Sequence, residues 1–223
     1  VRYAYGLVVE TVRCKNLIDA FVNSVLKPKE ISEFSMGVQA FLRLYVYQTR
    51  IAKNWAKLDL KEAENIAKIG RAILGWKTLR CVEPFLGFLL TRQITAVLNA
   101  ANQTERIGLQ TFHPAWFVEY CFNLFGKNEA TAFLEGNLKP PPIYIRINTL
   151  KASEQKILES LAAEGVRLEK TEPLRYAYKV LGVKRPLRET TSFKEGWFYI
   201  QDKASCYAAE AAAPQPNITV LDV

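Results

Sequence analysis

Histidine is almost absent from this chain of 223 residues, which carries one, His113, and cysteine is sparse, with four. Cys14, Cys81, Cys121 and Cys206 stand far apart, form no C-x-x-C pair and have a single histidine to help them. That pattern suggests neither a zinc site nor a disulfide framework, and it leaves isolated, semi-buried thiols as the reading. No apolar run reaches the roughly 18 residues of a membrane-spanning helix. No signal-peptide pattern opens the chain, so the expected location is the cytoplasm, with no membrane partner and no metal.

What is present belongs to a globular protein. The hydrophobic fraction is 49% and the charged fraction 23%, and 223 residues suffice for one to two domains with real cores. The net charge of +8 is spread unevenly. Residues 1 to 112 hold 16 basic against 9 acidic side chains, residues 113 to 139 hold 2 against 3, residues 140 to 203 hold 12 against 8, and residues 204 to 223 hold none against 2. A positive excess in both front portions suits a polyanionic partner such as RNA.

From Tyr3 to Leu26 the apolar residues recur at helical spacing, predicting one or two amphipathic helices that Lys27-Pro28 breaks. A further helix is predicted from Ile31 to Trp55, with Phe41, Leu44, Tyr45, Gln48, Ala52 and Trp55 facing the core. Arg43, Tyr47, Arg50 and Lys57 share its opposite side, a stripe that could track a phosphate backbone and stack a base, or simply be a solvated helix face. Asp59 to Glu62 has the form of a capping box for a helix ending at Gly75, and Pro84 opens another that breaks near Thr91. His113-Pro114 starts one more helix, with Pro114 at its first position and an apolar face of Trp116, Phe117, Tyr120, Leu124 and Phe125. No acid or nucleophile stands near His113 in sequence, so it reads as a structural residue beside a helix start.

Pro140-Pro141-Pro142 cannot continue a helix and marks a linker, after which the apolar period changes from 3.6 to 2. Ile143, Ile145 and Ile147 alternate with Tyr144, Arg146 and Asn148 as a strand, followed by a helix capped by Ser153 or Thr149 and closed at Gly165. Val166 to Leu168, Arg175 to Val180 and Trp197 to Ile200 are further predicted strands, giving a small α+β module, RRM-like in its order but without a glycine-and-aromatic RNA-stacking strand. Asp202 caps an alanine-rich helix that Pro214 stops, and Ile218 to Val223 has the pattern of a parallel strand buried on both faces. Such a strand needs neighbours, so the expectation is a fragment cut within a larger architecture.

The ordered set HPAW, IRINTLK, GWFYIQDKAS and PQPNITVLDV resembles the Fmu/Sun/Nop family of S-adenosylmethionine-dependent RNA cytosine-5 methyltransferases. The resemblance implies a multi-domain chain, α then α+β: a NusB-like helical RNA-binding domain at 1 to 112, and an N1-type module at 113 to 195. Within that module lie helices at 113 to 137, a linker at 138 to 142 and the α+β part at 143 to 195. The first elements of a Rossmann-like methyltransferase domain follow at 196 to 223. In the family the strand reading VLDV runs into a CAAPGGKT-like cofactor loop, and later strands supply two cysteines, one of which attacks carbon 6 of a flipped cytosine. None of those residues stands in these 223, so the resemblance assigns no catalytic residue and gives only Asp222 a place near the cofactor. S-adenosylmethionine is expected in the full-length protein and not on this fragment, which by itself is expected to be inactive. Cys206 stands where bacterial members often have glutamine, and Phe112 where serine is more usual.

The expected partner is ribosomal or transfer RNA, with Arg146, Asn148, Lys151 and Lys203 as RNA-facing or domain-orienting groups beside the Arg43, Tyr47, Arg50 and Lys57 stripe. A stand-alone NusB-like module of the antitermination type, without catalysis, remains the alternative, and a protein-interaction scaffold a third.

Overall fold

The computed structural model describes residues 2–52, 60–215 and 217–221. Two compact units emerge, Val1–Lys139 and Pro140–Val223, each with its own apolar core.

The described residues of the first unit are built from helices. In order these are α1 (Arg2–Arg13), α2 (Lys15–Leu26), α3 (Met36–Val46), α4 (Leu60–Leu74), α5 (Trp76–Leu79), α6 (Glu83–Thr91), α7 (Thr95–Ala100), α8 (Gln103–Thr111), α9 (Ala115–Phe125) and α10 (Lys127–Gly136). Phe21, Leu42, Leu79 and Leu89 lie fully buried at the centre, each burial stabilising the fold by roughly 1.5–3 kcal/mol. Asn16 in the first turn of α2 donates from Nδ2 to the carbonyls of Gly108 and His113, both at 3.0 Å, and so fastens α2 to the joint between α8 and α9. At that joint Phe112 closes α8 in the left-handed conformation, φ +61°.

The single helix predicted over Ile31 to Trp55 is broken up. A 3-10 turn at Ile31–Glu33 precedes α3, and a π-helical turn at Tyr47–Ile51 follows it, with the Ala52 amide reaching back to the Tyr47 carbonyl at 2.8 Å. The wider turn shifts the phase of the helix. Thr49 is buried in consequence, while Gln48 is half-buried and Ala52 exposed, and Trp55 lies outside the described residues. Pro114 is the cap of α9, with extended ψ of 147°, rather than its first turn. The face of α9 also differs from expectation: Val118 and Cys121 are buried, and Trp116, Tyr120 and Leu124 are 68%, 57% and 58% exposed. This helix, AWFVEYCFNLF, is apolar nearly all the way round, so periodicity could not choose which side its neighbours α8 and α10 would cover.

The second unit holds strands β1 (Tyr144–Ile147), β2 (Val166–Lys170), β3 (Ala177–Val183) and β4 (Phe198–Ile200), with α11 (Glu154–Ala163) after β1, α12 (Thr191–Lys194) before β4 and α13 (Lys203–Ala212) at the end. The sheet order is β2-β3-β1-β4, and every pair is antiparallel. Two interleaved strand-helix-strand halves in this order are the ferredoxin-like arrangement. Ser153 caps α11 and Asp202 caps α13, each side chain accepting from a first-turn amide. The short α12 was not anticipated; the Thr190 side chain caps it by accepting from the Phe193 amide. Ile145, Ile147 and Phe198 from the sheet meet Ile157 and Leu161 of α11 in the core.

Two expectations about the last stretch change. β4 completes this sheet, so the boundary placed between 195 and 196 falls inside the α+β unit. Residues 217–221 form no strand, and Ile218, Val220 and Leu221 are 57%, 63% and 83% exposed. A strand apolar on both sides is stable only between other strands, and no described strand lies beside it.

Candidate functional site

Alternation along β1 sends Ile145 and Ile147 into the core beneath the sheet and leaves Tyr144 and Arg146 on the face away from α11. On that outer face Arg146 stands directly opposite Ala177 of β3 on one side and Tyr199 of β4 on the other. Directly opposed residues of an antiparallel pair carry their side chains on the same face, with Cβ atoms roughly 4.5–5.5 Å apart. An open groove of about 570 Å³ runs here, lined by Arg146, Asn148, Thr149, Tyr176, Tyr199 and Gln201 among others. Tyr199 is 59% exposed.

The Arg146 guanidinium makes no hydrogen bond or ion pair with any described residue. Cys206 of α13 lies near it. Burial among Leu174 and Ala177 pushes the Cys206 thiol up, the Arg146 charge pulls in the other direction, and the thiol donates to Gln201 Oε1 at 3.5 Å. Asn148 serves the backbone: its Nδ2 donates to the Gly196 carbonyl at 3.1 Å, and its Oδ1 accepts from the Leu150 amide at 3.2 Å, which locks the end of β1 to the turn before β4. Lys151 and Lys203 are exposed, the latter in the first turn of α13.

The stripe on the first unit is placed differently. Arg43 grips Asp19 with Nε to Oδ1 at 2.7 Å and a second bond at 3.0 Å, and Lys15 holds the same carboxylate at 2.7 Å. Tyr47 packs half-buried against the core, and burial raises its phenol pKa. Arg50 turns its guanidinium to the carbonyls of Leu90 and Arg92, at the end of α6 and just beyond it, and burial lowers its pKa. Lys57 lies outside the described residues. The described cations of this stripe are thus engaged within the first unit.

His113 has a joint-building role. Its Nδ1 meets Thr111 Oγ1 at 3.1 Å, its Nε2 meets Asn137 Nδ2 at 3.3 Å, and its ring stacks on Phe117 at 5.5 Å. Burial lowers its pKa, which favours the neutral ring that can accept from the Asn137 amide.

Sequence reasoning did not find Tyr199, Tyr176 or Gln201. The available signal was the alternation within Trp197 to Ile200, which puts Tyr199 on the side opposite the buried Phe198. The terminal stretch that the resemblance sets ahead of the cofactor loop runs exposed without a sheet, and Asp222 lies outside the described residues. Among the described residues no cluster of three or more His, Cys, Asp or Glu is placed to hold a metal ion, and no helix is long and apolar enough to cross a membrane.

Residues 113–182 match the family described as "Methyltr_RsmF/B-like, ferredoxin-like domain". The chain is similar, with 29% identity over 219 residues, to the probable ribosomal RNA small subunit methyltransferase B of Bacillus subtilis (strain 168), covering 98% of this chain and 46% of that protein. It is 33% identical over 112 residues to the 25S rRNA (cytosine-C(5))-methyltransferase nop2 of Schizosaccharomyces pombe, covering 48% of this chain and 18% of that one. The crystal structure of PH0851 shares the fold, with a TM-score of 0.68 and 20% identity over 96% of this chain and 47% of its own. The chain spans about half the length of the bacterial relative named above. The matched family domain begins at 113, whereas packing places α9 and α10 in the first unit.

Proposed function

We infer that this chain, whose residues 113–182 match the RsmF/B-like ferredoxin-like domain, is the RNA-recognising N-terminal portion of an S-adenosylmethionine-dependent rRNA cytosine-5 methyltransferase. The observation that carries this reading is the alignment of 98% of the chain with about half of a protein named as a ribosomal RNA small subunit methyltransferase. On this reading residues 1 to 112 are a NusB-like domain, the N1-type module runs from 113 through β4, and α13 leads towards a Rossmann-like catalytic domain. The methyl donor and the cysteine chemistry belong to the half of the relatives that this chain does not span.

Within the chain, the outer face of the ferredoxin-like sheet is the surface that meets RNA. Arg146 is its anchor, a guanidinium with no described partner in an open groove, and Lys151 and Lys203 add exposed positive charge. Ribosomal RNA is favoured over transfer RNA because the named relatives act on ribosomal RNA. The cytoplasm, where ribosomes are assembled in a bacterial cell, is the corresponding compartment. A stand-alone antitermination-type module gains no support from a near-complete alignment with methyltransferases.

Two measurements test this. The 223-residue chain should bind a small-subunit rRNA transcript in a filter assay, with affinity falling steeply as salt rises, and should transfer no methyl group from tritiated S-adenosylmethionine. The full-length product of the gene should methylate a cytosine carbon 5 in the same transcript. Absence of RNA binding by the chain, or methyl transfer by the chain alone, would overturn the reading.

A further inference from the structure

The outer face of the sheet carries an arrangement more specific than a positive patch. Arg146 and Tyr199 are cross-strand partners on that face, so a cation and a phenol ring sit side by side in one groove. The ring is 59% exposed, the guanidinium is without a described partner, and the groove of about 570 Å³ falls within the roughly 300–1,000 Å³ of small-ligand sites. Gln201 borders the same groove; its Oε1 accepts from the Cys206 thiol, and its Nε2 hydrogens have no described acceptor.

These groups match the parts of one nucleotide. A guanidinium suits a phosphate, an exposed aromatic ring suits a base face, and an amide donor suits a carbonyl on a base or a sugar hydroxyl. A free anion would use the cation and ignore the ring. A duplex keeps its base faces stacked and could offer none to Tyr199, so the ring selects for an unpaired strand.

We propose that Arg146 and Tyr199 form a single-nucleotide subsite for single-stranded RNA, in which one unstacked base lies against the Tyr199 ring while the Arg146 guanidinium takes that nucleotide's phosphate. The proposal rests on the RNA-binding reading above and deepens it, by stating that the sheet recognises an unpaired base and not only backbone charge.

The test compares a fluorescein-labelled single-stranded RNA octamer of cytidines with an octamer of the same backbone lacking bases, by fluorescence anisotropy on the 223-residue chain. The chain should bind the base-bearing strand at least about 5-fold more tightly. Tyr199→Ala should cost about 5- to 100-fold on that strand and erase the preference, and Tyr199→Phe, which keeps the ring, should retain it. Arg146→Gln should weaken both strands and reduce the salt slope by about 1. Equal affinity for the two strands, or a preference that survives Tyr199→Ala, overturns the subsite while leaving RNA binding intact. No affinity for either strand overturns the RNA reading together with it.

Discussion

Arg146 and Tyr199 are directly opposed across the β1–β4 ladder, on the face of the sheet turned away from α11. The two differ in what surrounds them from the arginines of the helical unit, where Arg43 is clasped by Asp19 and Arg50 by two backbone carbonyls. A guanidinium already paired gains little from a phosphate, because binding must first break the existing bonds. The unpaired one has no such cost.

Arg43→Gln should therefore leave RNA affinity unchanged and reduce stability. Arg43 and Asp19 are 20% and 17% exposed at their side chains, and loss of the paired bonds should cost about 1–3 kcal/mol, softened because Lys15 still holds Asp19. Urea denaturation and anisotropy on the same variant check both halves, and a drop in RNA affinity without loss of stability would contradict the assignment.

Glu164, just past α11, accepts from the Thr191 amide at 2.7 Å, the Ser192 amide at 3.0 Å and hydroxyl at 2.5 Å, and Arg185 at 2.6 Å. Burial alone would raise its pKa, but these donors, led by Ser192, outweigh it and hold the carboxyl below its ordinary value of 4.5. A carboxyl depressed on folding stabilises the protein above its unfolded pKa, and that contribution is lost as pH falls through the folded value. Glu164→Gln should lower stability by about 1–2 kcal/mol at pH 7, with the difference from the parent shrinking towards pH 3. A pH-independent difference would show that charge is not involved.

Gly108 lies where α8 approaches the joint with α9. A Cβ built there would come within 2.6 Å of the His113 carbonyl oxygen, a backbone atom already held by Asn16. Alanine improves helix propensity by about 1 kcal/mol, while overpacking costs about 1–3 kcal/mol. Because the obstructing atom is backbone, the second effect should win. Gly108→Ala should lower the thermal midpoint of the helical unit, whereas Gly87→Ala, whose added Cβ meets nothing within 4 Å, should raise it or leave it unchanged.

Thiol reactivity should separate the cysteines. Cys81 is exposed, and Cys14, Cys121 and Cys206 are buried; burial lifts the Cys14 thiol to about 11, with Arg13 lowering it and Glu10 raising it by smaller amounts. At pH 8 the native chain should release one equivalent of thionitrobenzoate rapidly from Ellman's reagent and the remainder only in denaturant. Two fast equivalents would place a second thiol at the surface.

The residues disclosed the local features of the fold well. The proline run at 140 to 142 coincides with the division between the units, and the caps at Ser153 and Asp202 act as their residue types predict. What stayed hidden depends on distant chain. The partner of Arg43 lies 24 residues earlier, so the same cation read as an open stripe from periodicity alone. Likewise Tyr199 became part of a site only when β4 was set beside β1, a pairing that joins positions 53 residues apart. The terminal apolar run stays outside any described sheet for a related reason, since composition reports what a strand would need and not whether its neighbours are present.

The strand order also bears on how the α+β unit comes into being as it is made. β1 is first in the chain but central in the sheet, and its two neighbours are β3 and β4, so one of its flanks can pair once β3 is made while the other stays open until Phe198–Ile200 has been added. At a synthesis rate of roughly 5–20 residues per second, that leaves the second flank waiting about 3–11 s after β1 is made. During that interval the nascent chain presents a hydrogen-bonding edge that a chaperone, or another nascent copy, would meet first.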